Sequence, residues 1–553
     1  MNTKRMKYLI ILLLAGTLAI TSCTSKEKAI KNIEIEEATL GELQHGFELS
    51  EASKESFEEG LLLLHNFEYD DALTAFEEAT AKDSTEVMAH WGEAMCHYKA
   101  LWRLQNTAKG QSILSRLGDT SEERLASIKD PIKNALWQVV EIMYGPGAFD
   151  DRNILIKEHL ASLHQVYPDN QEIAAFYALS LIWATEEYGD GSEDLRKAAS
   201  VADNIIKVNP LHPGALHYKI HALDGPSSAK DAHAAADAYA KVAADASHAL
   251  HMPSHIYLAL GEWEGVVNSN QVSYDASVVR MNKLNLSDGA RGYHSYAWWH
   301  YGLLQQGRLK EAEKILSDML QYVPKDPTKG ARGYLLGMQN RQLVAAGLLS
   351  EGLIPDTDVK VDDIGLTAKS MRSYLRAHLA YNQEDISTIK EEIKWLMTQN
   401  EMANGQISSD GLAMCAAGTS RYAPTENAIK STEVVIAQLQ GMAALIEKQP
   451  DRFETYMKNA VALEYDTNYP AGPPRITQPS FEQYGEWLLA QDRYADAIEQ
   501  FDKSLERMPR RVKSLIGKMT ALKSLNKTVE ATTVHDELKD ILTHADDTML
   551  QLI

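Results

Sequence analysis

Residues 481–509 read FEQYGEWLLAQDRYADAIEQFDKSLERMP, and the spacing within this stretch decides the fold. Phe481, Tyr484, Gly485 and Leu488 fall at i, i+3, i+4 and i+7, which places them on one face of a helix. Tyr494, Ala497, Phe501 and Ser504 mark a matching face on a second helix, and Pro509 closes the unit. Ala531 follows Ala497 by 34 residues, and Leu538 follows Ser504 by 34. A helix pair repeated at that period buries its apolar faces only by stacking on its neighbours.

Numbered within a 34-residue unit, these residues take positions 4, 7, 8, 11, 17, 20, 24, 27 and 32. The pattern resembles the tetratricopeptide repeat (TPR). Near the other end, Gly60, Leu63, Tyr69, Ala72, Phe76 and Ala79 take positions 8, 11, 17, 20, 24 and 27, and Trp91-Gly92 opens the next helix. In the middle, Pro210 closes a unit, Ala232 holds position 20, and Gly261 and Trp263 hold positions 15 and 17. Gly307, Leu309, Ala312, Leu316 and Pro324 continue the series after an insertion of 12 residues before Tyr293. Strand-like alternation is nearly absent. The expected fold is all-α, a TPR-type solenoid wound as a right-handed superhelix.

The expected organisation runs from a signal segment (1–22) through an anchor linker (23–50) to an N-terminal solenoid (51–345). An irregular helical segment with a long loop (346–424) and C-terminal TPR-like helices (425–553) follow. Lys4, Arg5 and Lys7 precede the apolar run Tyr8 to Ile20 and the small residues before Cys23, the anatomy of a secretory leader. The run is too short for a comfortable membrane span. Ile20-Thr21-Ser22-Cys23 resembles a bacterial lipobox, which implies lipid attachment at Cys23 and a chain anchored to the cell envelope rather than spanning it. Thr24 at the next position points to the outer membrane.

The formal charge is −22, and −25 without the three basic residues of the leader. No basic stripe exists, so nucleic acid is not an expected partner, and contact with a membrane is expected through the lipid alone. Beyond Cys23 only Cys96 and Cys415 remain, too few and too far apart for a disulfide framework. Cys96 reads as a buried structural thiol.

Nine of the 18 histidines lie between His212 and His300. In the TPR family, positions 2, 5, 9 and 12 of the first helix line the concave groove. The unit starting at Pro213 puts His217, His221 and Asp224 at positions 5, 9 and 12. The unit starting at Ser247 puts His248, His251 and His255 at positions 2, 5 and 9, and the unit starting at Tyr293 puts His294 and Tyr301 at positions 2 and 9. One unit earlier, Trp183 and Glu187 take positions 5 and 9. The ligand-binding candidates are His217, His221, Asp224, His248, His251, His255, His294 and Tyr301, with His217, His221, His251 and His255 expected in one shared groove and His248 and His294 at its edges.

His217/His221 and His251/His255 have the i, i+4 spacing that sets two rings on one helix face. Such pairs hold zinc or another divalent cation with a third ligand. They equally hydrogen-bond one another and the backbone in a polar crevice. The general base of a His-Glu-x-x-His protease is missing. Pro253 lies where a helix interior is expected, so the helix bends or restarts there. The aromatic block Tyr293, Tyr296, Trp298, Trp299 and Tyr301 fits repeat packing at least as well as ligand stacking.

The blocks His212–His221 and His248–Ile256, with Pro473-Pro474 before Gly485-Glu486, resemble a group of long bacterial TPR lipoproteins over nearly the whole mature chain. That resemblance implies fold far more than chemistry. The expected function is a scaffold that takes a peptide or protein partner in its histidine-lined groove. The alternative is a metal-dependent enzyme or small-ligand-binding protein built on His217, His221, His251 and His255.

Overall fold

The computed structural model describes residues 40–185, 192–347, 359–407 and 422–553. Among these the chain is a helical-repeat solenoid, with a single two-stranded hairpin of Tyr98–Lys99 and Leu104–Gln105. The N-terminal part comprises α1 (Lys54–His65), α2 (Tyr69–Lys82), α3 (Val87–Cys96), α4 (Thr107–Leu114), α5 (Ser121–Ser127), α6 (Pro131–Met143), α7 (Phe149–Val166), α8 (Gln171–Trp183) and α9 (Glu193–Val208). The middle part comprises α10 (Pro213–Ala222), α11 (His233–Val242), α12 (Ser247–His251), α13 (Pro253–Leu260), α14 (Trp263–Lys283), α15 (Tyr293–Gln305), α16 (Leu309–Tyr322) and α17 (Lys329–Ala346). The C-terminal part comprises α18 (Leu366–Asn382), α19 (Ile386–Asn404), α20 (Glu426–Ile446), α21 (Pro450–Tyr465), α22 (Ser480–Ala490), α23 (Tyr494–Arg507), α24 (Val512–Ser524), α25 (Thr528–Ile541) and α26 (Asp547–Leu550). No helix among the described residues is long and apolar enough to cross a membrane.

Two glycine–phenylalanine–glycine sandwiches show why the repeats pack as they do. A Cβ on Gly485 would sit 2.8 Å from the Phe501 ring, and one on Gly517 would sit 2.3 Å from it. Gly60, Phe76 and Gly92 repeat the arrangement at the same spacing, with corresponding distances of 2.8 and 2.3 Å. Each phenylalanine fills a slot that only two bare backbones leave open, and both rings are fully buried.

The turn inside each pair is equally regular. Position 15 adopts the left-handed conformation at Phe67, Gly261, Gly307, Asp492 and Asn526, with φ between 56° and 70°. Glycine takes that conformation freely; a phenylalanine there carries strain of roughly 1–3 kcal/mol.

The solenoid also closes on itself. Trp263 Nε1 donates to the Arg510 carbonyl at 2.9 Å, and the Asp546 amide donates to the Gly307 carbonyl at 3.0 Å. One apolar core therefore contains residues 258–338 together with residues 512–549. At the other end the α1/α2 pair docks on the middle repeats through Arg280, which holds Asp71 at 2.5 and 2.7 Å.

Several expectations need correction. Residues 366–404, placed in an irregular stretch by their turn-rich flanks, form the regular pair α18/α19. Trp183 is the last residue of α8, so the 34-residue count does not extend back past Pro210 and the histidine belt stops there. Asp224 lies beyond the end of α10, in the turn after Leu223. The 12-residue insertion is absorbed largely by α14, which is 21 residues long. Cys23, Glu187 and Cys415 lie outside the described residues.

Candidate metal centre

Three helical segments supply the histidines. α10 starts at the proline after His212, whose ring Nδ1 accepts from the Ala215 amide and caps the helix. His217 and His221 then project from one face, with ring centroids 4.8 Å apart. Pro253 splits the next helix into α12 and α13, and the break falls at Met252. His248 and His251 lie before it and His255 after it. His294 sits in the first turn of α15.

The six rings form two trios rather than a single cluster of four. In the first, His217, His221 and His248 each offer a nitrogen within 4.8 Å of the other two. In the second, His251, His255 and His294 do the same. His248 and His294, expected at the margins, each complete a trio and are more exposed than the buried His217, His251 and His255. The trios are adjacent, with His221 5.7 Å from His255 and His248 6.1 Å from His251, measured between ring centroids.

Hydrogen-bond direction fixes where the lone pairs point. His251 Nδ1 lies 2.6 Å from Asn270 Oδ1, and His255 Nδ1 lies 2.6 Å from Asp224 Oδ2. Both partners accept, so both Nδ1 atoms carry hydrogens, and each ring in its neutral form presents a bare Nε2 atom. Those Nε2 atoms are 3.1 Å apart, and His294 Nε2 is 2.9 Å from that of His251. In the first trio the His65 carbonyl accepts from His217 Nδ1 at 2.8 Å, and His217 Nε2 faces His248 Nε2 at 3.2 Å. His221 Nε2 is buried and has no hydrogen-bond partner.

Two bare nitrogens at this distance repel unless a cation lies between them. A proton is opposed by the surroundings: burial, then the neighbouring imidazoles, push His217, His221 and His251 well below the usual histidine range. Burial, and then His255, push His248 down to about 3. A metal ion bonded to nitrogen at about 2.1 Å separates its ligand atoms by roughly 2.9–3.4 Å, the range of the three Nε2–Nε2 distances of 2.9, 3.1 and 3.2 Å. The acceptors behind the rings, Asn270, Asp224 and the His65 carbonyl, are of the kind that orient imidazoles in metal sites.

The surroundings are aromatic. Phe67, in its strained turn, sets its ring 4.3 Å from His217, 6.0 Å from His221 and 5.5 Å from His248. Trp298 lies 4.8, 4.6 and 5.4 Å from His251, His255 and His294. The connector at Gly472 runs against the far side of Trp298, where an added Cβ would lie 2.5 Å from the ring. Phe67 thus packs on the first trio, and Trp298 packs on the second with Gly472 against it.

Sequence reasoning missed Phe67, Asn270 and the His65–Glu172–His212 network. Asn270 carries no local signal in the middle of α14. His65 Nε2 meets Glu172 Oε2 at 2.7 Å, and His212 Nε2 lies 3.4 Å from Glu172 Oε1. Burial works against ionisation of Glu172, but His65 and His212 outweigh it and hold the carboxylate well below its usual range. The remaining ring nitrogens of His65 and His212 serve Tyr218 and the Ala215 amide. This third group therefore ties α1 to α8 and α10 and places the carbonyl that holds His217. Tyr301 joins neither trio; its hydroxyl accepts from Arg511 at 3.1 Å. Cys96 is buried, and desolvation raises its thiol far above the usual value.

No model of a protein family matches the chain, and no curated protein does. Solved structures similar in fold include the APC/C hetero-tetramer Cut9–Hcn1, at 12% identity over 90% of this chain and 89% of that one, with a TM-score of 0.30. The human IFIT1 dimer with m7Gppp-AAAA is 12% identical over 90% and 91%, with a TM-score of 0.32. Yeast Tom70 is 10% identical over 90% and 94%, with a TM-score of 0.26. Likenesses this distant bear on neither ligand nor activity.

Proposed function

We propose that the protein is a dinuclear metal protein in which a helical-repeat scaffold holds two borderline d-block ions, zinc or copper, one in each histidine trio. The observation that carries this reading is the opposition of bare Nε2 atoms on His251 and His255, with their Nδ1 hydrogens committed to Asn270 and Asp224. Imidazole donors suit zinc and copper over magnesium or calcium. Three protein ligands leave a coordination position open, the arrangement that catalytic sites use to bind water or substrate. The side nearer solvent is where His221, His248 and His294 lie, since these three are only partly buried.

Metal analysis of protein purified without an affinity tag tests the reading. Two equivalents per chain are expected after loading, with one lost in His251→Ala and the other in His217→Ala. Fewer than half an equivalent in the loaded wild-type chain would overturn it.

Partner binding enters this reading in a restricted form. Helical solenoids offer extended faces to proteins, and a partner here would use faces other than the one that carries the two trios. Cross-linking in intact cells tests that expectation. The lipobox-like segment before Cys23 supports a lipid anchor in the cell envelope; Cys23→Ala should then release the protein from membranes.

A further inference from the structure

A cavity of about 270 Å³ lies further along α15, among α15, α17, α22 and α24. Its walls are largely aliphatic, with Leu304, Val344 and Ile516 among them, and its polar groups include Tyr301, Arg341 and Arg511. The two guanidinium groups differ sharply. Arg511 is fully committed: Nε and Nη2 grip Glu482 at 2.6 and 2.9 Å, and Nη1 donates to Tyr301. Arg341 is not. Its Nε is buried without a partner, and its one hydrogen bond is a long 3.4 Å contact from Nη2 to the Pro474 carbonyl.

No carboxylate among the described residues pairs with Arg341. Its close neighbours are the Tyr301 ring, 5.9 Å from the guanidinium carbon, and the like-charged Arg511. Burial, and then Arg511, lower its pKa to about 10. The other charges at the cavity cancel: Arg511 against Glu482, and Lys513 against Glu486 at 3.0 Å. One positive charge is therefore left facing apolar walls, in a protein whose net charge is −22. Arg341 is half-buried, with its Nε fully so; a charge held there without a partner is unfavourable, and the missing counter-charge is the feature a ligand would supply.

We propose that this cavity binds a small molecule bearing one carboxylate on an apolar body, with the carboxylate on Arg341 and the Tyr301 hydroxyl. Arginine receives a carboxylate through two parallel N–H donors. Tyr301 accepts from Arg511 and keeps its own hydrogen to donate. The aliphatic walls take the apolar body. A phosphate fits less well, because its second charge would find no free cation and would lie near Glu482 and Glu486. The site uses none of the six histidines of the two trios, so it stands or falls independently of the metal centre.

Titration calorimetry on the full chain, with octanoate, 1-octanol and inorganic phosphate as probes, tests this. One octanoate per chain is expected, bound at least tenfold more tightly than 1-octanol, with phosphate not binding. Arg341→Met should weaken octanoate at least tenfold while leaving the ligand-free melting temperature equal or higher, since it removes an unpaired, half-buried charge. Arg341→Lys, which keeps the charge but loses the paired donors, should weaken octanoate severalfold and serves if the methionine variant does not fold. Octanoate binding no tighter than 1-octanol, binding unchanged in either variant, or phosphate binding in place of octanoate would each overturn the proposal.

Discussion

His251 and His255 stand on either side of the helix break at Pro253 and point their Nε2 atoms at each other across 3.1 Å. Met252 keeps helical dihedrals through the junction, with φ −56° and ψ −36°, so the i, i+4 spacing of the two histidines holds across it. The proline removes one backbone donor at the junction, and His255 reaches Asp224 from its other ring nitrogen.

Asp224 is the most informative residue behind the ligands. Its Oδ2 accepts from His255 Nδ1 at 2.6 Å, while Oδ1 is buried without a partner. Replacing it with alanine removes the group that fixes the tautomer of His255. Loss of such an outer partner costs about 10–100-fold in metal affinity. Asp224→Ala should therefore weaken one of the two ions by that factor and leave the other unchanged, as read by competition with a chromogenic chelator.

Phe67 packs on the first trio. Phe67→Ala removes a buried ring and costs about 3–5 kcal/mol, with no relief of the left-handed turn, because alanine carries a Cβ there as phenylalanine does. The expected result is a lower urea midpoint together with faster metal exchange at the first trio. A lower midpoint with unchanged exchange would show that Phe67 packs without covering.

The glycine sandwiches predict sharp intolerance in the C-terminal repeats. A Cβ at position 517 would meet Phe501 at 2.3 Å, and overpacking of this kind costs about 1–3 kcal/mol. Gly517→Ala should lower thermal stability by that amount, and Phe501→Leu in the same chain should restore part of it. Additive losses would contradict the packing described.

Acid should destabilise the protein through histidines buried away from the two trios. Burial, with a lesser contribution from Arg341, holds His300 at about 3; burial and Lys513 hold His378 at about 4. Both groups are neutral in the folded chain and titrate near 6.5 when it unfolds. The unfolded state therefore binds more protons below that pH, and stability falls as pH drops from about 6.5 towards 3–4. Each contributes a slope of up to ~1.4 kcal/mol per pH unit. Urea midpoints should decline steadily from pH 7 to pH 5; a flat profile would show that these rings are solvated.

The fold was legible where the period of the chain is local. The spacing of Phe481, Gly485, Tyr494 and Phe501 fixes a helix pair because each contact joins residues within one unit. Between Pro210 and Gly261 the 34-residue count coincides with the helix starts at Pro213 and Ser247. It failed before Pro210 because α8 begins at Gln171, eight residues earlier than a 34-residue count would place it, and ends at Trp183. The grouping of the histidines into two trios, the aromatic packing on them and the cavity at Arg341 depend on contacts between distant segments. Phe67 meets His248, Gly472 meets Trp298, and Arg511 meets Tyr301 across 181, 174 and 210 residues, and no periodicity encodes such meetings.

Anomalous X-ray scattering from metal-loaded crystals, recorded on both sides of the zinc and copper edges, tests the central claim most directly. Two anomalous peaks are predicted, one at about 2.1 Å from nitrogens of His251, His255 and His294, and one at a similar distance from nitrogens of His217, His221 and His248. A loaded crystal showing no peak at either trio, or peaks only at surface carboxylates, would contradict the account.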